Sequence, residues 1–203
     1  MNLNPDFVNL FSEVTSRAAI ASYSYVGSGD KHKADEAAVN IMRQALNQLD
    51  IKGKIVIGEG ELDEAPMLYI GENVGKGIGE EIDLAVDPIE GTNFVAKNLP
   101  GGISVLTAAP KNCLLNAPET YMHKIAFSGD VEKDALDLDF TYEKNFKNLA
   151  DSLNKNLEEL SICLLDRPRH KEIIEVANNF KIKKKLISDG DVAGALLVAN
   201  KKF

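Results

Sequence analysis

Apolar residues recur along the first fifty positions with a helical period. Asn4, Pro5 and Asp6 form a helix-start signal, and Phe7, Leu10, Phe11, Val14 and Ala18 follow at helical spacing, predicting a helix to about Ser22. The turn Val26-Gly27-Ser28-Gly29-Asp30 interrupts it. Ala34, Ala37, Ala38, Ile41, Met42, Ala45 and Leu49 then mark a second amphipathic helix, with Asp35 in its first turn. The period next shortens. Strands are expected near 54–58, where Ile55-Val56-Ile57 is β-branched, and at 82–87, where Ile82, Leu84 and Val86 alternate with Asp83, Ala85 and Asp87 until Pro88 removes a ladder donor and ends the run. A third strand is expected at 102–109, and short ones at 121–127 and 136–140. The remainder alternates: helix 143–154, strand 160–165, helix 169–180, strand 184–188, helix 191–199. Strands alternating with helices favour a layered α/β (α+β) architecture over a sandwich.

Both early strands end among carboxylates. Asp87-Pro88 leads into Glu90, Gly91 and Thr92, and the β-branched run leads into Glu59, Glu61, Asp63 and Glu64. Each cluster alone reads equally as a solvated turn, and Gly58 and Gly60 suit a hairpin as well as a close ligand approach. Two acidic strand exits in one chain point instead to an oxygen-donor site. Several carboxylates without a histidine cluster favour Mn²⁺ or Mg²⁺ over Zn²⁺.

Composition narrows the partners. The 203 residues carry 23 basic and 31 acidic side chains, a net charge of −8, which argues against nucleic acid because no basic face is available to neutralise phosphates. No segment is apolar for long enough to span a bilayer, so no membrane role is expected. Cys113 and Cys163 lie far apart without a metal-ribbon spacing, and both read as small core hydrophobes in a reducing, cytoplasmic setting.

Taken together, Gly-Glu-Gly-Glu-Leu-Asp-Glu-Ala-Pro-Met-Leu-Tyr-Ile-Gly-Glu at 58–72 and Asp-Pro-Ile-Glu-Gly-Thr at 87–92 closely resemble the class II fructose-1,6-bisphosphatases. The match extends through Gly29-Asp30-Lys31, Ala34-Asp35, Asn116-Ala117-Pro118, Tyr121-Met122, Arg167-Pro168-Arg169-His170 and Asp189-Gly190-Asp191, covering essentially the whole chain in order. The second element is also similar to the strand exit of the wider inositol-monophosphatase-like superfamily, which implies a layered α-β-α-β-α fold.

The resemblance implies metal binding by Asp35, Glu59, Asp87 and Glu90, with Mn²⁺ or Mg²⁺ as cofactor. It implies that Thr92 lies beside the attacking water, that Asp63 takes or relays its proton, and that Glu61 supports them. Substrate contacts are implied for Lys31, Glu90, Gly91, Thr92, Tyr121, Arg167, Pro168, Arg169, Asp189, Gly190 and Asp191. Arginines suit the phosphate that is not cleaved, and carboxylates suit sugar hydroxyls. Lys31-His32-Lys33 reads equally as a solvated charge cluster, and Asp189-Gly190-Asp191 equally as a turn and helix cap.

The implied reaction is hydrolysis of fructose 1,6-bisphosphate to fructose 6-phosphate in gluconeogenesis. Alternatives are a phosphatase that accepts sedoheptulose 1,7-bisphosphate or an inositol phosphate, and a non-catalytic remnant that keeps metal affinity. Chains of this family continue well past the equivalent of Phe203 and carry a Pro-Glu-Gly motif absent here. The expectation is therefore a C-terminally truncated relative, with residues 1–140 as the metal-binding subdomain, 141–203 as the start of a second α/β subdomain, and a homo-oligomer at full length.

Overall fold

The computed structural model describes residues 3–60, 67–117 and 120–199. It is a mixed α/β protein whose chain divides into two compact units, Met1–Thr120 and Tyr121–Phe203. The division expected at 140 lies inside the second unit. Among the described residues no helix is long and apolar enough to cross a membrane.

The first unit opens with two helices, α1 (Phe7–Tyr23) and α2 (Lys31–Leu46). Helix α1 buries Phe11, Val14, Ala18 and Ser22, while Leu10, expected on the packed face, is 39% exposed. Helix α2 begins three residues before its first predicted apolar position, because the Asp30 side chain accepts from the Lys33 amide at 3.1 Å and caps the helix there. Asp35 consequently sits one turn inside α2 rather than in its first turn.

The sheet of this unit has the order β2-β1-β3-β4, built from β1 (Ile51–Ile57), β2 (Asn73–Val74), β3 (Glu80–Glu90) and β4 (Ile103–Pro110). Strand β1 runs parallel to β3, whereas β1–β2 and β3–β4 are antiparallel. Ile51, Ile55, Ile82, Leu84 and Val86 project into one core with Val14, Ala18, Ala38, Met42 and Leu46 of the two helices. Ile55 and Leu84 are completely buried, and burial of each contributes about 1.5–3 kcal/mol.

Pro88 does not end β3. The strand continues to Glu90 through a register shift, pairing Asp87 with Val105 and Glu90 with Ile103, so three steps on β3 match two on β4. The bulge takes up the missing proline donor at a point where the ladder is already interrupted. Gly91 follows in a left-handed conformation (φ 81°, ψ 46°) and starts a short helix, α3 (Thr92–Ala96), which the hydrophobic pattern did not predict.

The second unit contains α4 (Tyr142–Ser152), β5 (Ser161–Leu165), α5 (Lys171–Asn179), β6 (Lys183–Ile187) and α6 (Asp191–Leu196). Strands β5 and β6 pair in parallel. Phe146, Ala150, Leu160, Val176, Ala177 and Ile182 form its core. The strands expected at 121–127 and 136–140 do not form. Residues 121–130 are exposed and give no apolar face for pairing, while Asn145 donates to the Asp137 carbonyl and Asn148 to that of Ala135, satisfying backbone groups from α4 instead. The helix expected from 169 begins as a 3₁₀ turn, Pro168–His170, and becomes α-helical at Lys171.

Candidate functional site

Three elements of the first unit deliver the carboxylates. Asp35 comes from α2, Glu59 from the exit of β1, and Asp87 and Glu90 from the bulged end of β3. Residues three apart on a regular strand face opposite sides, but the extra residue of the bulge brings Asp87 and Glu90 to the same side. The Asp87 carboxyl donates to Glu90 in a side-chain hydrogen bond.

The electrostatics follow from that crowding. Burial first, then the hydrogen bond to Glu90, and then the charges of Glu90, Glu59 and Asp35 push the Asp87 carboxyl up to about 8. Asp35 is also pushed up by burial, against the opposing pull of His32 and Lys31. All four predicted ligands thus share one electrostatic neighbourhood. Among the described residues no three His, Cys, Asp or Glu side chains are grouped closely enough to hold a metal ion by themselves. An oxygen-only set that leaves coordination positions to water or phosphate suits Mg²⁺ or Mn²⁺.

Glu59 is held at its backbone. Its amide donates to the Leu68 carbonyl at 3.0 Å, and the Ile70 amide returns to the Gly60 carbonyl at 2.9 Å. Gly58 allows this approach, since a Cβ there would stand 2.0 Å from the Leu68 oxygen. Glu61 and Asp63, expected to support and deprotonate the attacking water, lie outside the described residues.

Thr92 opens α3 immediately after left-handed Gly91, two residues past Glu90, and is half-buried. The turn before α2 is stitched to this helix, with the Gly27 amide donating to the Val95 carbonyl at 3.0 Å and the Gly29 amide to that of Ala96 at 2.9 Å. Lys31 and His32 therefore share an open cleft with Asn93 and Lys97. Lys31 is exposed, so its phosphate-binding and solvated readings both remain compatible with its position.

The substrate-contact candidates of the second unit gather at the carboxyl ends of its parallel strands. Arg167 leaves β5 and donates from Nη1 to the Asp166 carbonyl at 3.0 Å and from Nη2 to the Ser188 carbonyl at 2.6 Å, tying the exits of β5 and β6 together. Pro168 opens the following 3₁₀ turn, and the Arg169 guanidinium lies 4.3 Å from the centre of the Tyr121 ring. Gly190, left-handed at φ 76°, turns the chain from Asp189 into Asp191, which opens α6 and pairs with Lys124 at 3.5 Å.

Several residues behave differently from expectation, or were not singled out. Cys113 is exposed rather than in a core, whereas Cys163 is partly covered and its thiol is pushed up by burial. His170 Nδ1 lies 2.6 Å from the Leu165 carbonyl. Asp83 is buried because its carboxylate accepts from the amides of Cys113 and Leu114 at 3.1 and 3.3 Å. Buried Glu72, facing Arg43, had no local signal, because its partner stands 29 positions away.

The family model described as "Bacterial fructose-1,6-bisphosphatase, glpX-encoded" matches residues 6–203. The chain belongs to this family. It is 48% identical over 187 residues to the fructose-1,6-bisphosphatase class 2 of Haemophilus influenzae, covering 92% of this chain and 56% of that protein. It is 49% identical over 187 residues to the fructose-1,6-bisphosphatase 1 class 2 of Escherichia coli, covering 92% and 55%. It is 46% identical over 199 residues to the D-fructose 1,6-bisphosphatase class 2/sedoheptulose 1,7-bisphosphatase of a Synechocystis species, covering 92% and 57%. The chain thus spans little more than half the length of the curated relatives it matches.

Proposed function

We propose that this chain is the metal-binding portion of a sugar-bisphosphate phosphatase that releases the C1 phosphate of fructose 1,6-bisphosphate. The observation that carries the reading is the bulge of β3, which sets Asp87 and Glu90 on one side of the strand, where burial first, then the hydrogen bond to Glu90, and then the charges of Glu90, Glu59 and Asp35 push the Asp87 carboxyl up to about 8. The names of the relatives support the substrate class. The four carboxylates fit Mn²⁺ or Mg²⁺, since every donor is an oxygen and a divalent charge would relieve the repulsion. A cation bound there supplies positive charge to the scissile phosphate and acidifies a water.

The chain's own residues do the rest. The bulge in β3 presents Asp87 and Glu90 together, and Thr92, fixed at the start of α3, offers a hydroxyl that orients the attacking water. Asp63 accepts the proton of that water, with Glu61 in support. Arg167 and Arg169 bind the phosphate retained by the product. Arg169 does so from the Tyr121 face, and Arg167 through N–H groups beyond the two that its backbone contacts occupy. Asp189 and Asp191 accept from sugar hydroxyls. A cytoplasmic location in gluconeogenesis and self-association of the full-length protein belong to the same proposal.

The Synechocystis relative supports a second substrate, sedoheptulose 1,7-bisphosphate. Phosphate release from fructose 1,6-bisphosphate, sedoheptulose 1,7-bisphosphate and an inositol monophosphate, each with Mn²⁺, Mg²⁺ or chelator, tests both readings. Metal-dependent release from the first, with or without the second, is the expected result. Preference for the inositol phosphate would move the substrate class, and metal binding without release from any of them would reduce the chain to a non-catalytic cation-binding unit.

A further inference from the structure

Glu72 is almost completely buried, at 4% exposure, and the mechanism above does not use it. One carboxylate oxygen accepts from Arg43 Nε of α2 at 2.5 Å, and the other accepts from the Leu68 amide. Leu68 needs such a restraint. It is fully buried with φ 54°, a left-handed conformation that a leucine adopts only at an energetic cost. Its carbonyl is the acceptor for the Glu59 amide at 3.0 Å. The backbone of Glu72 is fixed as well, its carbonyl accepting from the Ile55 amide of β1 at 2.9 Å.

A continuous set of contacts therefore runs from Arg43 through Glu72 and Leu68 to Glu59. The helix at its origin also carries Asp35, two turns before Arg43. We propose that the Arg43–Glu72 pair positions the divalent-cation site, setting Glu59 against Asp35 by locking the Leu68 carbonyl on which the Glu59 backbone hangs. This rests on the reading of Glu59 and Asp35 as cation ligands. Arg43 and Glu72 do not touch the cation or the substrate; they act through the backbone of the residue that does.

The test uses the intact chain and Mn²⁺ alone, titrated by electron paramagnetic resonance, with amide hydrogen exchange read at Glu59. Glu72→Gln retains the shape but replaces one acceptor oxygen by a donor, so it cannot serve both Arg43 and the Leu68 amide. It should weaken Mn²⁺ binding about 10-fold, the lower end for groups that orient metal ligands, and speed exchange at Glu59 while amides within β1 and β3 keep their protection. Arg43→Lys, which retains a cation, should stay near the affinity of the unsubstituted chain. Arg43→Gln gives the same two readings from the half-exposed partner if the buried substitution prevents folding.

Unchanged Mn²⁺ affinity in Glu72→Gln and Arg43→Gln, with binding lost in Glu59→Gln, would overturn the positioning role and leave the cation reading standing. Loss of protection spread through β1 and β3 would make the pair a general support of the fold and equally overturn it. An unsubstituted chain that binds no Mn²⁺ would overturn the cation reading itself, and the positioning role with it.

Discussion

Replacing Gly58 by alanine tests how tightly the β1 exit is built. Gly58 is not among the left-handed glycines, so the substitution acts through crowding rather than through backbone strain. The new methyl would stand 2.0 Å from the Leu68 carbonyl oxygen and 2.7 Å from Ile55 Cγ2. The carbonyl must retreat by about 1 Å merely to open the contact to 3.0 Å. That movement breaks the 3.0 Å bond it accepts from the Glu59 amide. Overpacking of this kind costs about 1–3 kcal/mol and the lost hydrogen bond about 1 kcal/mol, giving about 2–4 kcal/mol in all. Urea denaturation of Gly58→Ala should show a lower midpoint with an unchanged slope. Mn²⁺ affinity should fall with it, because the ligand backbone has moved. A midpoint and an affinity equal to those of the unsubstituted chain would refute the close packing of Gly58 on Leu68.

Thr92→Val keeps the branched shape but removes the hydroxyl; turnover in a phosphate-release assay should fall by about 10²-fold or more with Mn²⁺ affinity unchanged, and normal turnover would remove Thr92 from water positioning. Arg169→Met should raise KM for the bisphosphate more than it lowers kcat, because a charge contact to the retained phosphate is made equally in ground and transition states. The reverse pattern would move Arg169 to the reacting centre. Maleimide labelling followed by mass spectrometry should modify exposed Cys113 first; Cys163, covered and with its thiol pushed up by burial, should react slowly at neutral pH and faster as pH rises. Equal rates at the two cysteines would contradict the partial covering of Cys163.

Where burial is organised along one element, the sequence pattern is readable. The β-branched run Ile55-Val56-Ile57 locates β1, although the strand begins at Ile51, three residues before the expected start, and Val14, Ala18, Met42 and Ala45 place the packed faces of α1 and α2. The strand-exit carboxylates are legible for the same reason, since a strand that ends in charge must end near solvent or a ligand. Three kinds of feature are not. Pro88 lies in a bulge rather than at a terminus, because the partner strand β4 absorbs the irregularity, and no local pattern reports the partner. Residues 121–127 and 136–140 look strand-like in short windows, yet the first stretch is exposed throughout, and beside the second the carbonyls of Asp137 and Ala135 accept from Asn145 and Asn148 of a helix further along the chain. The Arg43–Glu72 pair and the exposure of Cys113 depend on tertiary placement alone.

The central claim is that Asp35, Glu59, Asp87 and Glu90 form one divalent-cation site. Its most direct test is Mn²⁺ titration of the unsubstituted chain beside Asp87→Asn and Glu90→Gln, read by electron paramagnetic resonance, with folding checked by circular dichroism. The account predicts saturable quenching of the free Mn²⁺ signal by the unsubstituted chain and a large loss of affinity in each folded variant. Equal Mn²⁺ binding by all three proteins, or none by the unsubstituted chain, would contradict it.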